Sequence, residues 1–447
     1  MRMKSLKKAL LVTASTLAVA TSSIADNVTA DKMPVVSDLK VELSGYADFQ
    51  AGLRNQNHLS GDEKNVSKNR NNFAFYNSAA MVANVSNKVS DVTYGVKIAL
   101  VPTAKKKGGS RYNGSHIYME SDFGRVEAGS PFSASSNMMV DGSSIAAATF
   151  DDWARYADFS TKHLMEESKI EPSFATFAEF FLDDKLVTKL DKRSYSSEPA
   201  RSVSYYTPKF AFGDSTKLQA GISYIPDSSN TGADNPDTHS SGVDIRKVKR
   251  LDDLNGLEDI DRFEIDRTVK DAISGGVALE QNLGDGIDLK VGITGEYGKA
   301  AGKAKKFATD ADDEVPTEFK LSNLRTFNIG AILNVGNFSC AGSFGSLGKS
   351  LTTPEFHKTG RKTSYYTGTV AYKQGPFAAS VSYFKSDQFK NTVDAVSIGT
   401  QYKMAPGFVP YAEISGFSLK GRPEFNSELK KKKTRGTVAL IGAKLSL

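Results

Sequence analysis

The sequence predicts an all-β fold, a transmembrane antiparallel up-and-down β-barrel of about sixteen strands. Three observations predict it. Apolar and polar residues alternate with a period of two in stretch after stretch from residue 39 to residue 447. Short turns and long polar connections alternate along the chain. The N-terminus has the composition of an export leader.

The leader comes first. Arg2, Lys4, Lys7 and Lys8 form a positive segment, and Ala9 to Ala20 is apolar. Ser23-Ile24-Ala25 places small residues at both cleavage-determining sites, so residues 1–25 are predicted to be removed as a signal peptide. The apolar run is shorter than the roughly 20 residues a spanning helix needs. Residues 26–447 then form one unit. A prior of about 150 residues per domain would divide them, but one pattern runs end to end.

Charge and cysteine content exclude some classes. The chain carries 57 basic and 51 acidic residues, a net of +6, and four of the bases belong to the leader. That near balance gives no nucleic-acid footprint. The single cysteine, Cys340, cannot form an internal disulfide and reads as a small apolar residue on a strand face.

The strands follow in order. From Leu39 to Leu53, the odd positions are Leu, Val, Leu, Gly, Ala, Phe, Ala and Leu, whereas Lys40, Glu42, Ser44, Tyr46, Asp48 and Gln50 fall between them. Period two over this length is a strand, not a helix. Val92, Val96, Ile98 and Leu100 repeat the pattern around Thr93, Gly95 and Lys97. So do Ile287, Leu289, Val291 and Ile293 around Asp288, Lys290 and Thr294, and Phe327 to Val335 around Asn328 and Asn334. Val370 and Tyr372 lie between Thr369, Ala371 and Lys373; Phe377, Ala379, Val381 and Tyr383 lie opposite Ser380 and Ser382. The last strand puts Thr437, Ala439, Ile441, Ala443, Leu445 and Leu447 on one face.

Asn87 to Asp91, Asn282 to Gly286, Gly336-Asn337, Gln374-Gly375 and Met404 to Gly407 read as short turns. Arg54 to Asn71, Pro226 to Asp266, Lys299 to Lys320, Leu347 to Arg361 and Phe417 to Lys433 read as long polar connections. Tight turns at one end and large loops at the other are the layout of an outer-membrane barrel. A soluble sandwich also has one apolar face per strand. It does not need strands long enough to cross a bilayer at a tilt, nor aromatics at both ends of the apolar faces, as at Phe377 and Tyr383. A closed sheet also pairs every backbone group in lipid.

Three segments resemble the trimeric Gram-negative general porins of alphaproteobacterial type. They are Ser121–Gly129 (SDFGRVEAG), Ser202–Asp227 with its Tyr-x-Thr-Pro-x-Phe and Ser-Tyr-x-Pro, and the closing Val438–Leu447 (VALIGAKLSL). Two features depart from the family. The terminal residue is Leu447 rather than Phe, and residues 130–201 are longer than the usual third loop.

The resemblance implies an outer-membrane channel for passive diffusion of ions and small hydrophilic solutes. It also implies a homotrimer in outer-membrane lipid, placed by the barrel assembly machinery, with no cofactor. Residues 130–201 would fold inward as the constriction loop. Their acidic side would be Asp141, Asp151, Asp152, Asp158, Glu166 and Glu167, facing a basic wall of Lys40, Lys97, Arg125, Lys290, Lys373, Lys403 and Lys444. Phe150 to Glu167 and Pro172 to Leu190 look helical by spacing. Such apolar faces inside a wet lumen need a wall to pack on. Acids against bases would set up a transverse field that tunes ion preference. Residue by residue, each reads first as an ordinary solvated lumen charge; as a group, they read as an electrostatic constriction.

An enzyme is not expected. The five histidines fall mostly in predicted loops; no G-x-S-x-G elbow occurs and no pair has H-E-x-x-H spacing. Two other readings stay open: a barrel acting mainly as adhesin or surface antigen through its long loops, and a substrate-selective channel. A run of lumen aromatics would favour the latter; Tyr46, Tyr118 and Phe384 are scattered.

Overall fold

The computed structural model describes residues 39–57, 72–101, 111–157, 200–228, 243–244, 262–266, 268–307, 317–351, 363–388, 391–421 and 432–447. The leader lies outside them. So do Asp158, Glu166 and Glu167 and the segment Pro172 to Leu190.

The first half of the wall holds β1 (Lys40–Gln56), β2 (Phe73–Val89), β3 (Val92–Val101), β4 (Arg111–Ser121) and β5 (Gly124–Gly129). After the long loop come β6 (Ser202–Tyr206), β7 (Phe210–Phe212) and β8 (Thr216–Asp227). Two short strands, β9 (Val243–Asp244) and β10 (Arg262–Asp266), precede β11 (Val269–Gly284) and β12 (Ile287–Ala300). Two more, β13 (Lys303–Phe307) and β14 (Thr317–Lys320), precede β15 (Leu324–Val335), β16 (Phe338–Gly348) and β17 (Thr363–Gln374). The chain ends with β18 (Phe377–Gln388), β19 (Asn391–Tyr402), β20 (Phe408–Gly421) and β21 (Lys432–Ser446).

Each wall strand pairs antiparallel with its neighbour in sequence, and β1 pairs with β21 from Tyr46↔Ser446 to Gln56↔Gly436, which closes the sheet. The strands β6 and β7 both pair with β8, so they are one wall position interrupted at Thr207–Lys209. The 17-stranded sheet is therefore a barrel of sixteen wall positions. The interruption follows from Pro208, which has no N–H to give to a ladder. The Thr207 hydroxyl takes over by accepting from the Ala220 N–H at 3.0 Å.

The short turns close one end. Asp285 (φ 51°) and Gly286 (φ 74°) both sit in the left-handed region, the geometry of a two-residue hairpin turn that matches strand twist. At the other end, strands run further than hydropathy predicts. The strand β20 continues to Gly421 and β21 begins at Lys432, inside the stretch expected to be loop. Alternation ends where lipid ends, but backbone pairing does not depend on it. The connections Pro226–Asp266 and Lys299–Lys320 also contain structure. Their strands build a separate four-stranded sheet in the order β14-β13-β10-β9.

The two faces of the wall are chemically opposite. Leu43, Leu53, Phe75, Ile117, Ile293, Val381 and Ile441 point outward and are exposed. Ser204, Ser223, Ser274, Asn328 and Ser415 point inward and are fully buried. In a soluble protein this pattern would be inverted; it fits a barrel with lipid outside. What buries the inner serines is the loop after β5.

Candidate functional site

The site is the lumen, and its geometry is set by residues 130–157. The chain leaves β5 at Gly129 (φ 130°) and turns inward, with Ser130 N–H donating to the Ser115 carbonyl at 2.7 Å. It then follows the inner wall around most of the barrel.

The first contact is a helical turn, Ala134–Met138, against β8, β11 and β12. Ala134 N–H donates to Ser223 Oγ (2.8 Å), Ser135 N–H to Ser274 Oγ (3.1 Å) and Ser135 Oγ to Glu296 Oε1 (2.7 Å). Val140 then lies on bare backbone. A Cβ on Gly292 would come within 2.7 Å of its side chain, and a Cβ on Gly330 would collide with its carbonyl oxygen. The 3₁₀ turn Gly142–Ile145 rests on β16 and β17, with Gly142 N–H donating to Thr367 Oγ1 at 2.8 Å. Ala147 N–H donates to Ser380 Oγ (2.8 Å), and its carbonyl fills the space over Gly399. Ala148 N–H donates to Gln401 Oε1 (3.1 Å). Thr149 donates twice to Glu413 Oε2, from its hydroxyl (2.6 Å) and its N–H (3.1 Å).

Aromatic packing completes the attachment. Phe150 meets Phe384 edge-on at 6.4 Å, and Trp153 stacks on Phe417 at 5.0 Å. These join a buried cluster with Tyr156, Val393, Val438 and Leu440. The wall that the loop's apolar face needs is thus an apolar patch on the otherwise polar inner face. The helix expected from Phe150 to Glu167 is corrected for its described part: only Trp153–Tyr156 is helical, and Ala157 is already extended at ψ 143°. One turn suffices to put Trp153 and Tyr156 on the wall; continuing the helix would carry the chain off it.

The end of the path crosses the barrel seam. Gln50 Nε2 on β1 donates to Asp152 Oδ2 (2.5 Å) and to the Tyr411 hydroxyl (3.1 Å). Tyr156 donates to Gln50 Oε1 at 3.1 Å; burial, with Asp152 nearby, pushes its hydroxyl up to about 12, so it remains a donor. Arg54 Nη1 donates to the Tyr156 carbonyl (3.4 Å). Arg155 pairs with Asp152 (2.7 Å), donates to the Tyr76 hydroxyl (2.9 Å) and lies 4.3 Å over the Tyr76 ring.

Beyond Ser130, which is bonded to Ser115 on β4, the described part of the loop touches the wall from β6 around to β2. Two expected bases lie on strands outside this described path, Lys97 on β3 and Arg125 on β5. Arg125 is held by Glu127 (2.7 Å) and Glu120 (3.0 Å) and stacks 4.2 Å over Tyr118. Tyr118 in turn donates to Asn84 Oδ1 (3.0 Å), and His116 Nε2 is 3.9 Å from Glu127.

The other expected bases lie toward the short-turn end, where Arg125 also sits beside the Ser121–Gly124 turn. Lys290, Lys373, Lys403 and Lys444 sit near the short-turn end, Lys290 within 3.6 Å of Glu280 and Lys444 6.0 Å from the Tyr411 ring. Lys40 pairs with Glu42 at 2.5 Å at the start of β1. Among the expected acids, Asp151 and Asp152 lie where the loop meets the seam. Asp141 is buried, taking the Ser143 (2.5 Å) and Ser144 (3.1 Å) hydroxyls. Sequence reasoning missed Gln50, Arg54, Tyr411 and Glu413 as loop anchors. Alternation put Gln50 inward, but nothing local says what it meets. Among the described residues, no group of three or more His, Cys, Asp or Glu could hold a metal ion.

A family model described as Gram-negative porin matches residues 9–422. An uncharacterized protein of Rickettsia bellii (strain RML369-C) is 43% identical over 98% of this chain and 100% of its own length. One of Rickettsia felis is 42% identical over 98% of this chain and 99% of its own length. Among solved structures, the anion-selective porin from Comamonas acidovorans superposes with a TM-score of 0.51 at 12% identity. It covers 92% of this chain and all of its own. That last likeness speaks to the fold alone.

Proposed function

The chain belongs to the Gram-negative porin family, and from this premise we propose that it passes ions and small hydrophilic solutes by diffusion through its lumen. It is an outer-membrane channel by family and fold. One observation carries the finer reading. The described part of the loop, residues 130–157, is fastened to the wall by backbone and aromatic contacts from β8 to β2, so it narrows the lumen from that side. A passage with polar walls and fixed charges passes small hydrated solutes and sorts ions by sign.

The charge constriction we propose is smaller than the sequence expects. Asp151 and Asp152 supply the loop's charge, with Asp158, Glu166 and Glu167 beyond the described residues, and Lys97 and Arg125 supply the facing wall. Lys40, Lys290, Lys373, Lys403 and Lys444 act instead as a basic vestibule toward the short-turn end. Catalysis has no part in this reading. Cleavage after Ala25 and assembly of residues 26–447 into a homotrimer by the barrel assembly machinery complete it. The exposed aromatic group Phe49, Phe73 and Phe75 on the outer wall offers a surface for another subunit.

The test is a planar bilayer. Purified, heat-modifiable protein is expected to give ohmic conductance steps in groups of three. Folded protein that conducts nothing would sink the channel reading, and single steps only would sink the trimer. N-terminal sequencing of the mature protein checks Ala25.

A further inference from the structure

The barrel seam is not flush at the short-turn end. The strand β21 follows β1 only as far as Gly45, whose N–H and C=O exchange bonds of 3.3 and 3.0 Å with Leu447. Beyond that point Lys40 to Ser44 are laddered to β2, from Lys40↔Ser86 to Ser44↔Val82. Among the described residues, no strand pairs with them on the other side. Bonding groups of an antiparallel strand alternate from side to side. Because Gly45 faces β21, Leu43 and Val41 face the same way. Two N–H and two C=O groups therefore stand on an open edge. They belong to residues whose side chains point outward and are 68% and 58% exposed. An apolar edge of this kind is a template for pairing with another strand.

We propose that the residues just ahead of β1 fold back as a hairpin and cover this edge, with Val35 opposite Val41 and Met33 opposite Leu43. The inference rests on cleavage after Ala25, which leaves residues 26–38 attached to β1. It does not depend on conduction.

The sequence selects that register. Ser37, Asp38 and Leu39 are left as a three-residue connection, and Ser and Asp suit a turn. On the outward side, apolar residues then meet apolar residues. Val35 and Met33 turn their N–H and C=O groups to β1. Pro34 has no N–H, and its nitrogen falls on the free side, where an edge strand tolerates proline. A shift of one residue either way would set Pro34 opposite Val41 or Leu43, where a donor is needed. Pairing stops after Met33 because the next outward position, Gly45, already belongs to Leu447. The short tether also gives this segment a higher effective concentration at the edge than a separate chain has.

The experiment follows hydrogen–deuterium exchange at single amides of the folded barrel, made to begin at Asp26 so that the result is independent of leader removal. Heat-modifiable migration verifies that every variant folds. The Val41 and Leu43 amides are expected to exchange slowly, as the β2-bonded amides of Glu42 and Ser44 do. Val35→Pro removes a donor aimed at β1 and is expected to speed exchange at Val41 and Leu43 about tenfold or more. Val36→Pro removes an N–H aimed away from β1 and is expected to leave both slow. Removal of residues 26–36 is expected to match Val35→Pro. Equal exchange with and without Val35→Pro overturns the proposal. So does fast exchange in both proline variants, or protection that rises with protein concentration, which marks a second copy on the edge. A native N-terminus found beyond Met33 would also overturn it. Unaltered conductance is expected in all variants, so absent conduction would count against the channel and not against the hairpin.

Discussion

The Trp153 indole stacks on Phe417 with ring centroids 5.0 Å apart and planes 20° from parallel. One residue belongs to the loop and the other to the inner face of β20, so this contact ties the constriction to the wall. Trp153 is only 1% exposed.

Trp153→Ala removes that tie. Truncating a buried aromatic costs about 3–5 kcal/mol, here charged to loop docking because the barrel ladder is untouched. The expected outcome is an intact barrel with higher and noisier single-channel current and faster protease cleavage within residues 130–201. Unchanged current noise would show that the loop is held without it.

Wall glycines are the second test. Gly330→Val and Gly399→Val each place a side chain where a loop carbonyl now lies, under Val140 and Ala147 respectively. Overpacking of this kind costs about 1–3 kcal/mol, and lifting the loop is expected to alter conductance. Gly368→Val is the control: it faces outward with nothing within 4 Å of the added carbon. Its expected effect is within about 0.5 kcal/mol, with normal current. Equal responses at all three positions would contradict the described loop path.

Lys97 and Arg125 on the wall, with Asp151 and Asp152 on the loop, should set ion preference. Replacing Lys97 and Arg125 together by Gln is expected to raise the cation-to-anion permeability ratio about twofold, read as a shift in reversal potential across a KCl gradient. Replacing Asp151 and Asp152 by Asn is expected to shift it the opposite way. If neither pair moves the reversal potential, the charge constriction is not at these residues.

Glu413 is a fastening that can be weakened without changing shape. It accepts both donors of Thr149 and the Ser415 hydroxyl (2.8 Å). Glu413→Gln exchanges charge-assisted bonds for neutral ones, roughly halving their strength. The expected result is more frequent brief closures or openings in current records, less marked than with Trp153→Ala.

Cys340 tests which face is outside. It is exposed and lies on the outer face of β16, opposite Leu333 and Val370. In bilayers, a lipid-soluble maleimide is expected to label it and a bulky charged maleimide is not. Rapid labelling by the charged reagent would mean that this face meets water.

Much of the fold was legible because period two is a local property. Where Leu39 to Leu53 alternates, the faces of β1 follow whatever the partners are. The same holds for β12, β15, β18 and β21. The register at which β1 meets β21, the doubling of β6 and β7 around Pro208, and the small sheet of β9, β10, β13 and β14 were not legible, since alternation names a face and not a partner, and pairing beyond the apolar band leaves no hydropathy signal.

By itself, then, the sequence determined that the chain makes a barrel, which side chains face lipid, and roughly how many strands close it. The tertiary structure decided what the inward positions meet. Phe384, Phe417, Val438 and Leu440 break the polar pattern of the inner face, and the path of Phe150 to Tyr156 brings the loop's aromatics onto them. Gly330 and Gly399 are ordinary strand glycines until Val140 and Ala147 lie on them. Glu413 reaches Thr149 across 264 residues of chain. Alternation assigns a residue to a face, whereas contacts over such separations depend on where a closed sheet and an inward loop bring two distant segments together.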